Sequence, residues 1–495
     1  MRLRLLLSFL SCSLAMHAQF APEAALLTVE AMQSDFSYLR GKLETTHPGM
    51  YKRRTREQMS SILDSVFNSI RTPLTRRDFY KKIAFTVSET RCEHSYSNPG
   101  DGYESMVKKW QMLPFQLFFP EGNPFVVVNG TTDQSIEPGD EVLSINGKTT
   151  DSIRQAIYPY LPADGFIRSA KDHYLSSLNF NVAYNQFIEE ATTYSVVIRK
   201  KDGRVIEREF TNGLDFGSIN KNALANPVNR PVLEASRRGD RLRKQPFRLD
   251  FEKNHPVAIM TVRTFSADKK TFRKKIDGFF AEISKKQPSD LVIDLSYNGG
   301  GEEELAAWLM SYLVDTPTRF MKREYLIDIT DSTLAMTNIP AEIQRNKYAY
   351  IDSMKDGIST AKISELAMEL KVMERQINGY RGRVWIYANG GTASAASTFC
   401  AVAKSNGRAV IVGEETAGSF SGGGTVIGLD LTLPHSGIRT HTSMVYQEFA
   451  TSGQDPTRGV QPDIIYRPVY AELIGQNREW IELILSERAK KIPGR

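Results

Sequence analysis

A chain of 495 residues exceeds what one ordinary hydrophobic core serves, so its length predicts several domains, and three fit the patterning best. With 41% hydrophobic, 24% charged and 10% aromatic residues it has a globular profile, which excludes a fibrous or largely disordered protein. The net charge of +6 is too small to imply a nucleic-acid partner.

Residues 1–18 join a basic start (Arg2, Arg4) to an apolar stretch and the small Ala18, which predicts a secretory signal cleaved after Ala18. A membrane anchor is the alternative, but it would need about 20 apolar residues. No second span follows, so the mature chain is expected to be exported and soluble, periplasmic or secreted, with membrane association through a lipid on Cys12 left open. Losing Arg2 and Arg4 takes the net charge from +6 to +4. Only Cys92 and Cys400 remain, too few for a disulfide framework, and whether they pair is open.

Residues 19–110 read as a helical domain, with Met32, Phe36, Leu39 and Leu43, then Met59, Ile62, Val66 and Ile70, at helical spacing. His47-Pro48 ends the first helix and Thr75 caps a later one. His94 follows, in Cys92-Glu93-His94-Ser95-Tyr96. Residues 111–212 change to short strand-like runs, such as Phe125 to Val128 and Tyr194 to Arg199, separated by turn residues. The string from Ile136 to Gly147 resembles the core strand of a PDZ domain, a fold in which a peptide adds to a sheet edge. No glycine-rich carboxylate-binding loop accompanies it. Residues 213–245 show little periodicity and read as a linker.

From 246 to 495 strands alternate with helices: His255 to Phe265, Asp268 to Ile283, Asp290 to Leu295. This predicts a mostly parallel sheet. The loop Asp294 to Gly301 ends a strand and opens a helix, so its amides can converge with the helix dipole on an oxyanion. A plain tight turn is the bland alternative. Asn389-Gly390-Gly391-Thr392-Ala393-Ser394-Ala395 makes a second strand-to-helix turn, in which Thr392 or Ser394 could equally be a helix cap. Residues 320–380, helical in periodicity, are expected to form a lid or a dimer element.

These two loops, the turn Gly413 to Gly418 and Gly459-Val460-Gln461-Pro462-Asp463 stand in the order and spacing of the C-terminal-processing, or tail-specific, serine peptidases. The resemblance covers nearly the whole mature chain and implies a multidomain α/β fold with a ClpP/crotonase-like core. It further implies Ser394 as nucleophile, and Ala395 with Gly299 or Gly300 as oxyanion hole. The bacterial processing proteases use a lysine where this chain has Ser419, 25 residues past Ser394. A second branch, similar to the tricorn core protease, takes its base from a histidine of the N-terminal domain, and His94 occupies that place. Imidazole, with a pKa near 6.5, suits the task, although a lone histidine is more often mere packing. By the same resemblance Asp455 and Ser95 support the base, with Glu93 a competing orienter.

His47, His173, His255, His435 and His441 show no zinc spacing, and neither GxGxxG, P-loop nor GxSxG patterns fit, so no metal or cofactor is expected. The implied substrate is a peptide or unfolded protein. The rivals are a non-catalytic binder similar to the retinoid-binding proteins built on this core, and an inactive scaffold using only the PDZ-like module.

Overall fold

The computed structural model describes residues 26–120, 124–355, 357–361, 368–470 and 479–488. The expected signal segment and Cys12 lie outside them. No described helix is long and apolar enough to cross a membrane.

Three helices, Val29–Thr46, Arg56–Asn68 and Arg76–Ser88, begin the described chain. Each starts where a threonine hydroxyl (Thr28, Thr55, Thr75) accepts an otherwise unpartnered first-turn N–H, and Thr55 forms a reciprocal capping box with Gln58. Their apolar faces bury Met32, Phe36, Leu39, Leu43, Met59, Leu63 and Phe79. That cluster is completed by Leu429, Leu431, Leu433 and Ile438, contributed by a distant hairpin. The hairpin strands Gly428–Thr432 and Arg439–Ser443 pair with each other, and the second pairs with Tyr96–Asn98, two residues past His94. A single β-ladder thus binds the helical domain to the C-terminal part of the chain.

The central sheet runs Phe247–Phe251, Val257–Val262, Asp290–Asp294, Arg383–Ala388, Ala409–Gly413 and Ile464–Ile465. Its first pairing is antiparallel and the next four are parallel. Every other described sheet is antiparallel, so over the whole chain antiparallel pairing prevails, against the expectation of a mostly parallel architecture. The reason is local: helical crossovers occur only between the central strands, and elsewhere short turns join neighbours. Helices Lys269–Lys286, Glu303–Ser311 and Ala395–Ser405 cover one face around Phe265, Phe272, Phe280 and Phe399. Trp385, Tyr387 and Trp480 fill the other.

Between the helical domain and this core lies an antiparallel module of Phe115–Phe118, Phe125–Asn129, Glu141–Ile145, Tyr194–Arg199 and Val205–Phe210, with helix Thr150–Ile157. Residues 169–188, expected as part of a strand-rich run, are helical. The expected linker holds helices Phe216–Ala225 and Arg230–Arg243 and is anchored by the buried Asn229, which exchanges hydrogen bonds with the Asn129 backbone at 2.9 and 2.7 Å. The described part of 320–380 is mainly strands, Met321–Leu326, Ile351–Lys355 and Ile358–Ala361, not the expected long helices. Cys92 and Cys400 are both free and buried.

Because Leu429 is fully buried among helical-domain side chains, Leu429→Ala should lower the unfolding free energy by about 2–5 kcal/mol, measured by denaturant titration.

Candidate active site

Three adjacent parallel strands, Asp290–Asp294, Arg383–Ala388 and Ala409–Gly413, end at the same sheet edge, and the loops leaving them interlock. Asn389 Oδ1 accepts the N–H groups of Tyr297 (3.0 Å) and Gly391 (3.1 Å). Thr392 Oγ1 donates to Leu295 O at 3.0 Å, and Ala393 N–H to Asn298 O at 3.0 Å. Ser397 Oγ donates to Thr392 O (2.6 Å) and accepts Gly418 N–H (3.0 Å), which brings in the third loop.

At their junction Ser394 has φ 48° and ψ −130° and makes no side-chain cap on the helix it precedes. The capping alternative therefore fails for Ser394, and Thr392 bonds the neighbouring loops instead. A non-glycine residue at such φ stores roughly 1–3 kcal/mol of strain, tolerated where the surroundings over-determine it. They do so here. A Cβ built on Gly300 would lie 2.6 Å from Ser394 Cβ, and one on Gly418 would lie 2.8 Å from Ser397 Cβ and 3.3 Å from Ser394 N. Gly300 itself has φ 94°.

The Gly300 N–H is committed to Asn298 Oδ1 at 2.9 Å. Among the described residues no hydrogen-bond partner is found for the N–H of Gly299 or of Ala395, the first residue of the helix, and the space beside Gly299 is open. Gly300 enters through its missing side chain, whereas Gly299 and Ala395 keep free donors.

Glu93 and His94 come from the helical domain. The Ser394 backbone N–H faces the Glu93 carboxyl, and Glu93 Oε1 stands 3.4 Å from His94 Nε2. Burial, then the neighbouring Asp164 carboxylate, pushes the Glu93 carboxyl up to about 8. Burial, then the nearby His441 ring, lowers His94 to about 4. At neutral pH the 3.4 Å contact is thus between two uncharged groups, not an ion pair. No hydrogen bond joins the His94 ring to the Ser394 hydroxyl among the described residues; Glu93 is the group that faces both.

The two expected helpers of the base are placed elsewhere. Asp455 is exposed, and its Oδ1 accepts the N–H (2.8 Å) and Oγ1–H (2.7 Å) of Thr457, closing a turn within its own loop. Ser95 is fully buried, accepting Ser443 N–H at 3.1 Å beside the Cys92 thiol, and so holds the inter-domain ladder. Ser419, where a lysine would have stood, has its hydroxyl 2.6 Å from Arg53 Nη2. Arg53 carried no sequence signal. Nor did His441, whose Nδ1 lies 2.7 Å from Asp430 Oδ1 and whose ring stacks on Tyr96 at 5.0 Å.

Residues 256–466 match Peptidase family S41. A structure of mature CPAF complexed with lactacystin superposes with a TM-score of 0.59 at 16% identity, covering 93% of this chain and 98% of that one. One of mature CPAF gives 0.58 at 16% identity, over 93% and 96%. At these identities the likeness shows a shared fold. No curated protein sequence matches the chain.

Gly300→Ala should destroy the reactivity of Ser394 towards a fluorophosphonate, by about 100-fold or more, because its Cβ must displace the nucleophile. Labelling rate on the folded variant is the measurement.

Proposed function

Starting from a serine peptidase whose residues 256–466 match Peptidase family S41, we propose that the chain is an exported endopeptidase acting on peptides or unfolded proteins through an acyl-enzyme on Ser394, with His94 as base. The observation that carries this reading is the strained, uncapped turn at Ser394, with unengaged Gly299 and Ala395 amides beside it. A protein that only binds ligands has no use for strain at that hydroxyl.

In the first step Ser394 Oγ bonds to the substrate carbonyl carbon while its proton passes to neutral His94. The carbonyl oxygen takes the negative charge and is met by the Gly299 and Ala395 N–H groups. The amide C–N bond then breaks, the leaving amine takes the proton from His94, and water hydrolyses the ester by the reverse sequence. Glu93 serves as orienter in place of Asp455. Once His94 is an imidazolium, a carboxylate 3.4 Å away is favoured, so charging the ring draws Glu93 towards its ionised form. The antiparallel module at 111–212 would take substrate ends by PDZ-like strand addition. Export rests on the leader at residues 1–18.

Ser394→Ala should abolish hydrolysis of an unstructured peptide, and His94→Ala should slow it by about 1,000-fold or more. Turnover undiminished in Ser394→Ala would exclude this serine.

Glu93 links activity to stability. Its carboxyl keeps its proton up to about pH 8 when folded and loses it near 4.5 when unfolded, so unfolding releases a proton in that window. Stability therefore falls as pH rises through it, by at most about 1.4 kcal/mol per unit. Glu93→Gln should raise the melting temperature relative to wild type progressively from pH 5 to 8. The same variant should lose the part of kcat/KM that increases towards alkaline pH. Thermal scans and a pH–rate profile on both proteins check the pair of outcomes.

A further inference from the structure

Asp164 lies in the loop between the turn Tyr158–Tyr160 and the helix Ser169–Leu175 of the antiparallel module, and it is 4% exposed. Its two carboxylate oxygens reach two other parts of the chain. Oδ1 accepts the backbone N–H of Glu93 at 2.9 Å, and Oδ2 accepts that of Ser419 at 3.2 Å. The loop is clamped on its far side, with Gly165 N–H on Arg91 O at 3.0 Å and Phe166 N–H on Thr457 O at 2.9 Å. Gly165 leaves no room for a side chain, since a Cβ there would meet Thr457 O at 2.1 Å. On the other side a Cβ on Gly423 would lie 2.8 Å from Asp164 Oδ2. Arg53 Nη2 braces the second anchor, donating to Ser419 Oγ at 2.6 Å and Gly422 O at 3.0 Å.

A buried carboxylate is expensive, more so beside a second one, and Glu93 is that neighbour. Packing alone would favour a neutral residue here. What the carboxylate does is hold, in one group, the main chain that presents the Glu93–His94 pair and the main chain that leaves the nucleophile's third loop. We propose that Asp164 is a positioning residue: it fixes the backbone at Glu93 and Ser419, and through Glu93 sets the carboxyl–imidazole pair against Ser394, so that the antiparallel module completes the catalytic site. The inference rests on the roles given above to Ser394 and His94.

The test uses the full-length protein with Asp164→Ala, Asp164→Asn and, as control, Ser88→Ala. Ser88 Oγ bonds Pro159 O and so ties the helical domain to the same module without touching Glu93. Peptide hydrolysis, resolved into kcat and KM, is measured with amide hydrogen exchange at residues 91–96 and 418–421. Expected for Asp164→Ala are a fall in kcat of about 100-fold with KM changed less than about threefold, and exchange at Glu93 and Ser419 at least about tenfold faster. Asp164→Asn, which keeps one acceptor, should lie between, and Ser88→Ala should match wild type in kcat. A kcat for Asp164→Ala within about threefold of wild type, a loss confined to KM, or an equal loss in Ser88→Ala would overturn the proposal. Should wild type show no Ser394-dependent hydrolysis, the peptidase route through Ser394 and His94 is what fails. The exchange data then still decide the anchoring role: acceleration upholds it, and unchanged protection of the Glu93 amide sinks it.

Discussion

Between Gly300 and Ser394 there is space for a main chain and nothing more, and the catalytic face of the molecule is built around that tightness. The backbone at Ser394 is held in a conformation that a serine does not choose, because three loops close on it from neighbouring strand ends. Each loop contributes a contact that the others cannot replace: Asn389 to the Tyr297 amide, Thr392 to Leu295, Ser397 to Gly418. The parallel sheet makes this possible by delivering its strand ends together, at the edge where α/β folds generally place their sites. Free amides at Gly299 and Ala395 follow from the same geometry, since a helix start leaves its first N–H groups unpartnered.

A nucleophile so fixed still requires a proton acceptor, and that comes from another domain by way of a β-ladder. The strand Tyr96–Asn98 is short, yet it pairs with Arg439–Ser443, whose hairpin is buried in the helical cluster through Leu429, Leu431 and Ile438. Ser95 ties into the same ladder through Ser443 N–H. The hydrophobic burial that stabilises the helical domain is thus also what presents Glu93 and His94 to Ser394. Separating the domains would expose apolar surface and dismantle the site together.

Much of this was legible in the sequence where local chemistry and fold agree. The glycine spacing around Ser394 announced a turn because only small residues permit such approach, and Thr75 announced a helix start because its hydroxyl has one good use there. Asp455 misled for a converse reason: an Asp-Pro-Thr turn and a carboxylate aimed at a base look alike in one dimension, and only exposure separates them. Glu93 was discounted because sequence neighbours often point apart, yet a non-regular backbone between helix and ladder lets Glu93 and His94 meet. Asp164 lies in no motif at all, since its partners are backbone amides that any residue could supply. The helical reading of 320–380 failed because strands there pair over long separations, such as Tyr325 with Tyr446, which local periodicity cannot register.

The absence of a lysine at Ser419 is consistent with the charges already present. Glu93 and Asp164 are both buried within reach of the site, and an ammonium placed among them would be stabilised in its protonated form by opposite charge. A lysine acts as a base only when desolvation without a counter-ion drives its proton off. Carboxyls and a lysine base are therefore incompatible at this spot. An imidazole meets the reverse condition: burial lowers His94 to about 4, so it is neutral and able to accept at ordinary pH. The carboxyl beside it is held largely protonated until the ring takes charge. The serine at 419 then has a different task, offering its amide to Asp164 and its hydroxyl to Arg53, and the space a lysine would have filled becomes the brace that keeps the base in place.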